Sequence, residues 1–152
     1  MFSKNYAKIS GGAIFASNYK HFNMTGVTFD GNYAKDRGSE LYALFSNYKT
    51  FLDTVTIRNP SPVTSLYFDS ISVEGKFLNI YQSTGTSYSA EGGGITCINC
   101  KQLKIYDSSF TGLRAQLGGA VYLEQSDSLK SGTLTSANFI VKLLFNIFSF
   151  IE

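Results

Sequence analysis

Polar chemistry in this chain has to be built from eleven acids, thirteen lysines and arginines and one histidine spread over 152 residues. Glycoside hydrolysis needs two carboxyl groups about 5 to 10 Å apart. The best pair is Asp53 and Asp107, which the repeat described below sets in corresponding strands two coils apart, about 10 Å by strand spacing. Tyr81 or Gln82 would lie between them. The plainer reading is two solvated acids on an outer face. A lyase would instead gather several acids around calcium beside a basic side chain, and Arg37, Arg58 and Arg114 stand at corner or loop positions without such a cluster. His21, the single histidine, leaves no second imidazole for an ordinary metal site; it reads as an exposed strand residue. Cys97 and Cys100 have the Cys-x-x-Cys spacing of redox and zinc sites. In an extended strand, however, residues three apart face opposite ways, so Cys97 is expected as a core thiol and Cys100 beyond the next corner. No catalytic residue, metal or cofactor is assigned, and the enzyme reading is the less favoured one.

Recognition is the stronger reading. Phe15, Tyr42 and Tyr122, with Tyr19 and Tyr48 at the following corner, are candidates for a glycan- or protein-binding aromatic surface; the competing reading is stacking that only supports the fold.

Such a surface needs elements that repeat. Phe2, Asn5, Tyr6-Ala7-Lys8 and Gly11 recur, all displaced by the same step, as Phe29, Asn32, Tyr33-Ala34-Lys35 and Gly38. Gly11-Gly12-Ala13-Ile14 returns as Gly118-Gly119-Ala120-Val121, with weaker copies at Gly38-Ser39-Glu40-Leu41 and Gly93-Gly94-Ile95, and Ser65-Leu66-Tyr67-Phe68 fills the gap between them. Phe22, Met24, Val27 and Phe29 map onto Leu103, Ile105, Ser108 and Phe110, three of those steps on. In the intervening coil Leu78, Ile80 and Ser83 are read as the counterparts of Leu103, Ile105 and Ser108, at a slightly shorter step. Ser17-Asn18-Tyr19-Lys20 recurs as Ser46-Asn47-Tyr48-Lys49. Apolar residues alternate in Ile14/Ala16, Leu41/Ala43, Ile95/Cys97 and Val121/Leu123, which assigns them to the interior and puts Glu40, Glu124 and the aromatics outside. A period of roughly 25 to 28 residues with strict apolar alternation calls for stacked β-coils, none of which can bury its apolar face alone. Asn18, Asn47 and Asn99 are expected at left-handed corners, and the glycine pairs at another corner with positive φ. The other arrangement weighed is a β-sandwich with ordinary hairpin turns, which lacks this long-range register.

The Phe-x-x-Asn box (Phe2/Asn5, Phe29/Asn32) paired with the Gly-Gly-Ala-Ile/Val box (Gly11 to Ile14, Gly118 to Val121) resembles the repeats of polymorphic outer-membrane autotransporter passengers. It is also similar to the pectin-lyase-fold repeats of large eukaryotic surface proteins, which carry stretches like Asn99-Cys100-Lys101 to Ile105. The resemblance covers residues 2 to 125 and implies a right-handed parallel β-helix and an extracellular adhesive role. The expected fold is therefore all-β, a right-handed parallel β-helix of about four to five coils over residues 1–138, with an apolar segment over 139–152. Carbohydrate-active enzymes of the same fold are the alternative.

A formal charge of +2 and basic residues without a run of five leave no nucleic-acid footprint. Two cysteines do not make a disulfide framework. Met1 to Ser10 lacks the apolar run of a secretory signal, so a surface location would need an export signal outside this chain, and the opening inside a corner segment suggests a piece of a longer protein. Phe139 to Ile151 is shorter than the roughly 20 residues a spanning helix needs. Its polar residues Lys142, Asn146 and Ser149 fall at helical spacing, so an amphipathic helix closing the open mouth is expected there, with a truncated membrane anchor or unrelated sequence as the other readings.

Overall fold

The computed structural model describes residues 1–61, 63–81, 89–124, 134–137, 140–142 and 148–151. Three parallel sheets wrap one interior. The first stacks Phe2–Ser3, Thr28–Asp30, Thr56–Arg58, Asn79–Tyr81, Ser109–Thr111 and Ile140–Lys142; the second stacks Ile14–Ser17, Leu41–Leu44, Leu66–Asp69, Ile95–Ile98, Val121–Glu124 and Phe148–Ile151; the third stacks Phe22–Thr25, Lys49–Asp53, Ser72–Lys76, Gln102–Tyr106 and Leu134–Ala137. The chain visits the sheets in turn and then returns one strand spacing further along, so the protein is a parallel β-solenoid of about four turns.

Equivalent residues stand in columns. Phe29, Ile57, Ile80 and Phe110 share one, and Ile14, Leu41, Leu66, Ile95 and Val121 another. Apart from Ile14, all of these are buried to 1% exposure or less. Each such side chain taken from water contributes about 1.5 to 3 kcal/mol. A coil alone leaves that surface wet, so the coils are stable only when stacked. In the third column Leu52 and Ile105 flank Gly75, where the Leu78 side chain fills the space: a Cβ on Gly75 would meet its Cδ1 at 2.6 Å.

Corners are turned by single residues with positive φ, and these also form columns. Asn18, Phe45, Ser70 and Asn99 follow the second sheet, with φ between 50° and 56°; Gly26, Thr54, Phe77 and Asp107 follow the third; Gly11, Gly38, Gly92 and Gly118 precede the second. Asn18, Asn99, Gly11, Gly38 and Gly118 stand where expected, whereas in the fourth coil Gly92 rather than Gly93 takes the corner. Asn47 does not. Ser17 pairs with Leu44 before the corner, but Phe22 pairs with Thr50 after it. The second coil thus holds one more residue at this corner than the first, and Phe45 takes the left-handed position.

The period also varies elsewhere. Phe2, Phe29, Ile57, Ile80, Phe110 and Val141 succeed one another along the first sheet at uneven sequence steps, shortest from Ile57 to Ile80 and longest from Phe110 to Val141. Loops absorb the insertions and deletions while strands keep register. Ile80 consequently lies beside Phe110, and Ser109 N donates to Leu78 O. The assignment of Leu78 and Ile80 to Leu103 and Ile105 is thus corrected, and Ser83 lies outside the described residues.

A helix over Phe139 to Ile151 is not what the described part of that segment forms. Ile140–Lys142 pairs with Ser109–Thr111, and Phe148–Ile151 pairs with Val121–Glu124. A strand edge offers a row of backbone N–H and C=O groups. A further strand satisfies them, whereas a helix uses its own.

Candidate functional site

The second sheet carries the candidate aromatic surface on its outer side, because side chains alternate along each strand and Ile14, Leu41 and Leu66 take the inner positions. Phe15, Tyr42, Tyr67, Thr96 and Tyr122 follow one another in register. The Phe15 and Tyr42 rings lie 5.4 Å apart and tilted by 48°, and Tyr42 and Tyr67 lie 5.0 Å apart at 49°. Tilted pairs at this separation are favourable for the ring quadrupoles. Arg37, from the corner before Leu41–Leu44, sets its guanidinium carbon 5.0 Å from the Tyr67 ring centroid. Burial lowers the pKa of this guanidinium, but Tyr67, Asp36 and Tyr42 outweigh it and hold the group above its ordinary value.

Accessibility decides which of these rings can meet a ligand. Phe15 is 58% exposed, Tyr42 is half-buried, and Tyr67 and Thr96 are buried. Tyr122 is 2% exposed, and its hydroxyl donates to Glu124 Oε2 at 3.0 Å. Tyr122 therefore shares the column and not the exposed surface. Tyr19 and Tyr48 do not form a ladder either. The register that sets Phe22 over Thr50 displaces Tyr48 by one residue from Tyr19, and adjacent residues of a strand face opposite ways. Tyr48 is exposed, its ring 5.5 Å from His21. Tyr19 packs on Phe22 and shares a 2.6 Å hydrogen bond with Thr50; burial pushes its phenol pKa up, which the Thr50 bond opposes. Composition did not reveal Tyr67 and Arg37 as partners of Tyr42, because Tyr67 reaches it only across the stack and Arg37 only through the corner of its own coil.

The two candidate carboxylates do not share a column. Asp53 stands over Lys76 and then Tyr106, while Asp107 is the next residue, at the positive-φ corner. One residue of offset moves a side chain to another face, and Lys76 rather than Tyr81 or Gln82 separates the coils. Among the described residues no group of three or more metal-ligating side chains occurs.

Cys97 and Cys100 form a disulfide, with both residues buried. Strand parity sent them to opposite faces, but Asn99 between them has φ 50°. That left-handed residue reverses the chain and folds Cys100 back towards Cys97, with its Sγ 3.9 Å from Phe68 O.

Glu40, expected on the outer face, is fully buried. Two successive amides, Glu40 N and Leu41 N, both donate to Ser65 O at 3.1 and 3.2 Å, and this irregularity breaks the alternation. The Ser39 hydroxyl donates to Glu40 Oε2, and the nearby Asn32 side chain also favours the ionised carboxyl. Oε1 has no partner among the described residues. Asn32 in turn accepts from the Asn5 backbone and side-chain N–H groups at 3.0 and 2.8 Å and donates to Phe2 O at 3.2 Å. Burial pushes the carboxyl up to about 8 despite the influence of Ser39 and Asn32.

Residues 1–17 match the family model of the Chlamydia polymorphic membrane protein repeat, in agreement with the resemblance read from the Phe-x-x-Asn and glycine boxes. No curated protein and no solved structure matches the chain.

Proposed function

We propose that this chain is a non-catalytic, surface-displayed module whose solenoid winds right-handed, as strand–crossover–strand units do in almost all proteins, and whose role is adhesive. The carrying observation is the exposed Phe15 ring leaning on Tyr42, with Arg37 bracing Tyr42 and Tyr67 beneath it. Phe15 is the exposed member of this column, so its ring offers the aromatic face that a partner can reach. The match of residues 1–17 to a bacterial outer-membrane protein repeat and the buried Cys97–Cys100 bond, which suits an oxidising compartment, support the surface location. The ligand of this face is a glycan or a protein. Beads coated with the folded chain should adhere to cells, and Phe15→Ser with Tyr42→Ser should abolish adhesion without changing the circular dichroism spectrum. Equal adhesion by the double variant would overturn the assignment. The enzyme reading is disfavoured by the one-residue offset of Asp107 from the Asp53 column, and turnover of a plant polysaccharide lost in Asp53→Asn would restore it.

A further inference from the structure

Basic residues that are scattered along the chain meet at one corner. Tyr6–Ala7 pairs in parallel with Tyr33–Ala34, and the register continues to the bridge between Ser10 and Arg37. Lys8 therefore stands directly over Lys35. Ala34 of this pair is buried, whereas Tyr6, Lys8, Tyr33, Lys35 and Arg37 are exposed. The two phenol rings stack 5.2 Å apart and within 3° of parallel, with Tyr6 70% and Tyr33 39% exposed.

Like charges directly opposite each other in a sheet destabilise the pairing. Among the described residues neither lysine is in an ion pair: Asp36, the nearest acid in sequence, faces Arg37 Nε at 3.8 Å. Both lysines are open to solvent, and two cations beside two exposed phenols are complementary to a chain that carries negative charge on flat, hydroxyl-bearing rings. We propose that this corner binds a linear anionic polysaccharide: the ammonium groups of Lys8 and Lys35 hold its sulfate or carboxylate groups, and Tyr6 and Tyr33 meet the sugar faces and hydroxyls. The site is separate from the Phe15 face and does not depend on it. A nucleic acid would satisfy the lysines, but it leaves the phenol pair without a role.

The test uses the full chain on immobilised heparin, immobilised polygalacturonate, neutral dextran and double-stranded DNA. Retention on at least one of the two anionic polysaccharides, weakened by salt, is expected, with none on dextran; heparin alone identifies sulfate as the ligand group, and polygalacturonate alone identifies carboxylate. The double variant Lys8→Gln/Lys35→Gln should lose at least ten-fold in affinity, while Lys20→Gln/Lys101→Gln, which removes the same charge elsewhere, should lose less than two-fold. Tyr6→Ser should weaken polysaccharide binding and leave any binding to DNA unchanged. Absence of binding to both polysaccharides, DNA binding as tight as theirs, or equal losses in the two lysine variants would each overturn the proposal.

Discussion

Replacing Glu40 by glutamine should make the protein more stable, and by an amount that grows with pH. The carboxyl is fully buried, is bonded by Ser39, and has its pKa raised from an ordinary 4.5 to about 8, chiefly by burial. A group whose folded-state pKa lies above its unfolded value favours folding most when both states are protonated. That stability is whole below pH 4.5, falls as the unfolded chain ionises, and is fully lost once pH passes 8. Each pH unit of separation is worth about 1.4 kcal/mol, so the loss approaches roughly 5 kcal/mol above pH 8 and reaches about 3 kcal/mol at pH 7. Glutamine keeps the shape and an acceptor oxygen but cannot ionise. Urea unfolding of wild type and Glu40→Gln at pH 5, 7 and 9 isolates the effect, because other titrating groups cancel in the difference. The variant should be within about 1 kcal/mol of wild type at pH 5 and more stable by several kcal/mol at pH 9. A difference that stays constant over this range, or that shrinks as pH rises, would refute the burial argument.

Three further outcomes follow from the corners. Phe45 is 55% exposed at φ 53°, so Phe45→Gly should raise stability by about 1 kcal/mol by relieving left-handed strain, read as a higher urea midpoint; a lower midpoint would mean that Phe45 packs usefully. Gly12→Ala should cost more than about 4 kcal/mol, since its Cβ would meet Ser39 O at 2.1 Å and Tyr33 O at 2.5 Å, whereas Gly26→Ala, with nothing within 4 Å but φ +64°, should cost about 1 to 2 kcal/mol. Equal melting temperatures for the two glycine variants would contradict this. Reduction of Cys97–Cys100 should lower stability by about 2 kcal/mol, the entropy of a very short closed loop, seen as a drop in melting temperature with dithiothreitol that Cys97→Ala/Cys100→Ala abolishes.

The solenoid was legible in the residues alone. Recurrence of Phe2/Asn5 as Phe29/Asn32 and of Ile14 as Leu41 is a direct imprint of stacking, because each coil presents the same inner positions to the next, and Phe29 and Phe110 do share a column. Positive φ at Asn18, Asn99, Gly11, Gly38 and Gly118 was legible for the same reason: few residue types tolerate those corners. What the spacing could not fix was register inside irregular steps. The strand register stacks Asn18 over Phe45 and not Asn47, one residue inserted after that corner parted Tyr19 from Tyr48, and variable loops set Ile80 beside Phe110. Alternation fails wherever the backbone leaves the extended state, which is why Glu40 turned inward and Cys100 came back to Cys97. Exposure, too, belongs to the tertiary structure: Phe15 and Tyr122 have equivalent places in the repeat, yet only the first meets water, and Lys8 and Lys35 become neighbours only when coils stack. Local sequence sets what each coil looks like, while contacts between coils set which of its side chains are left free to act.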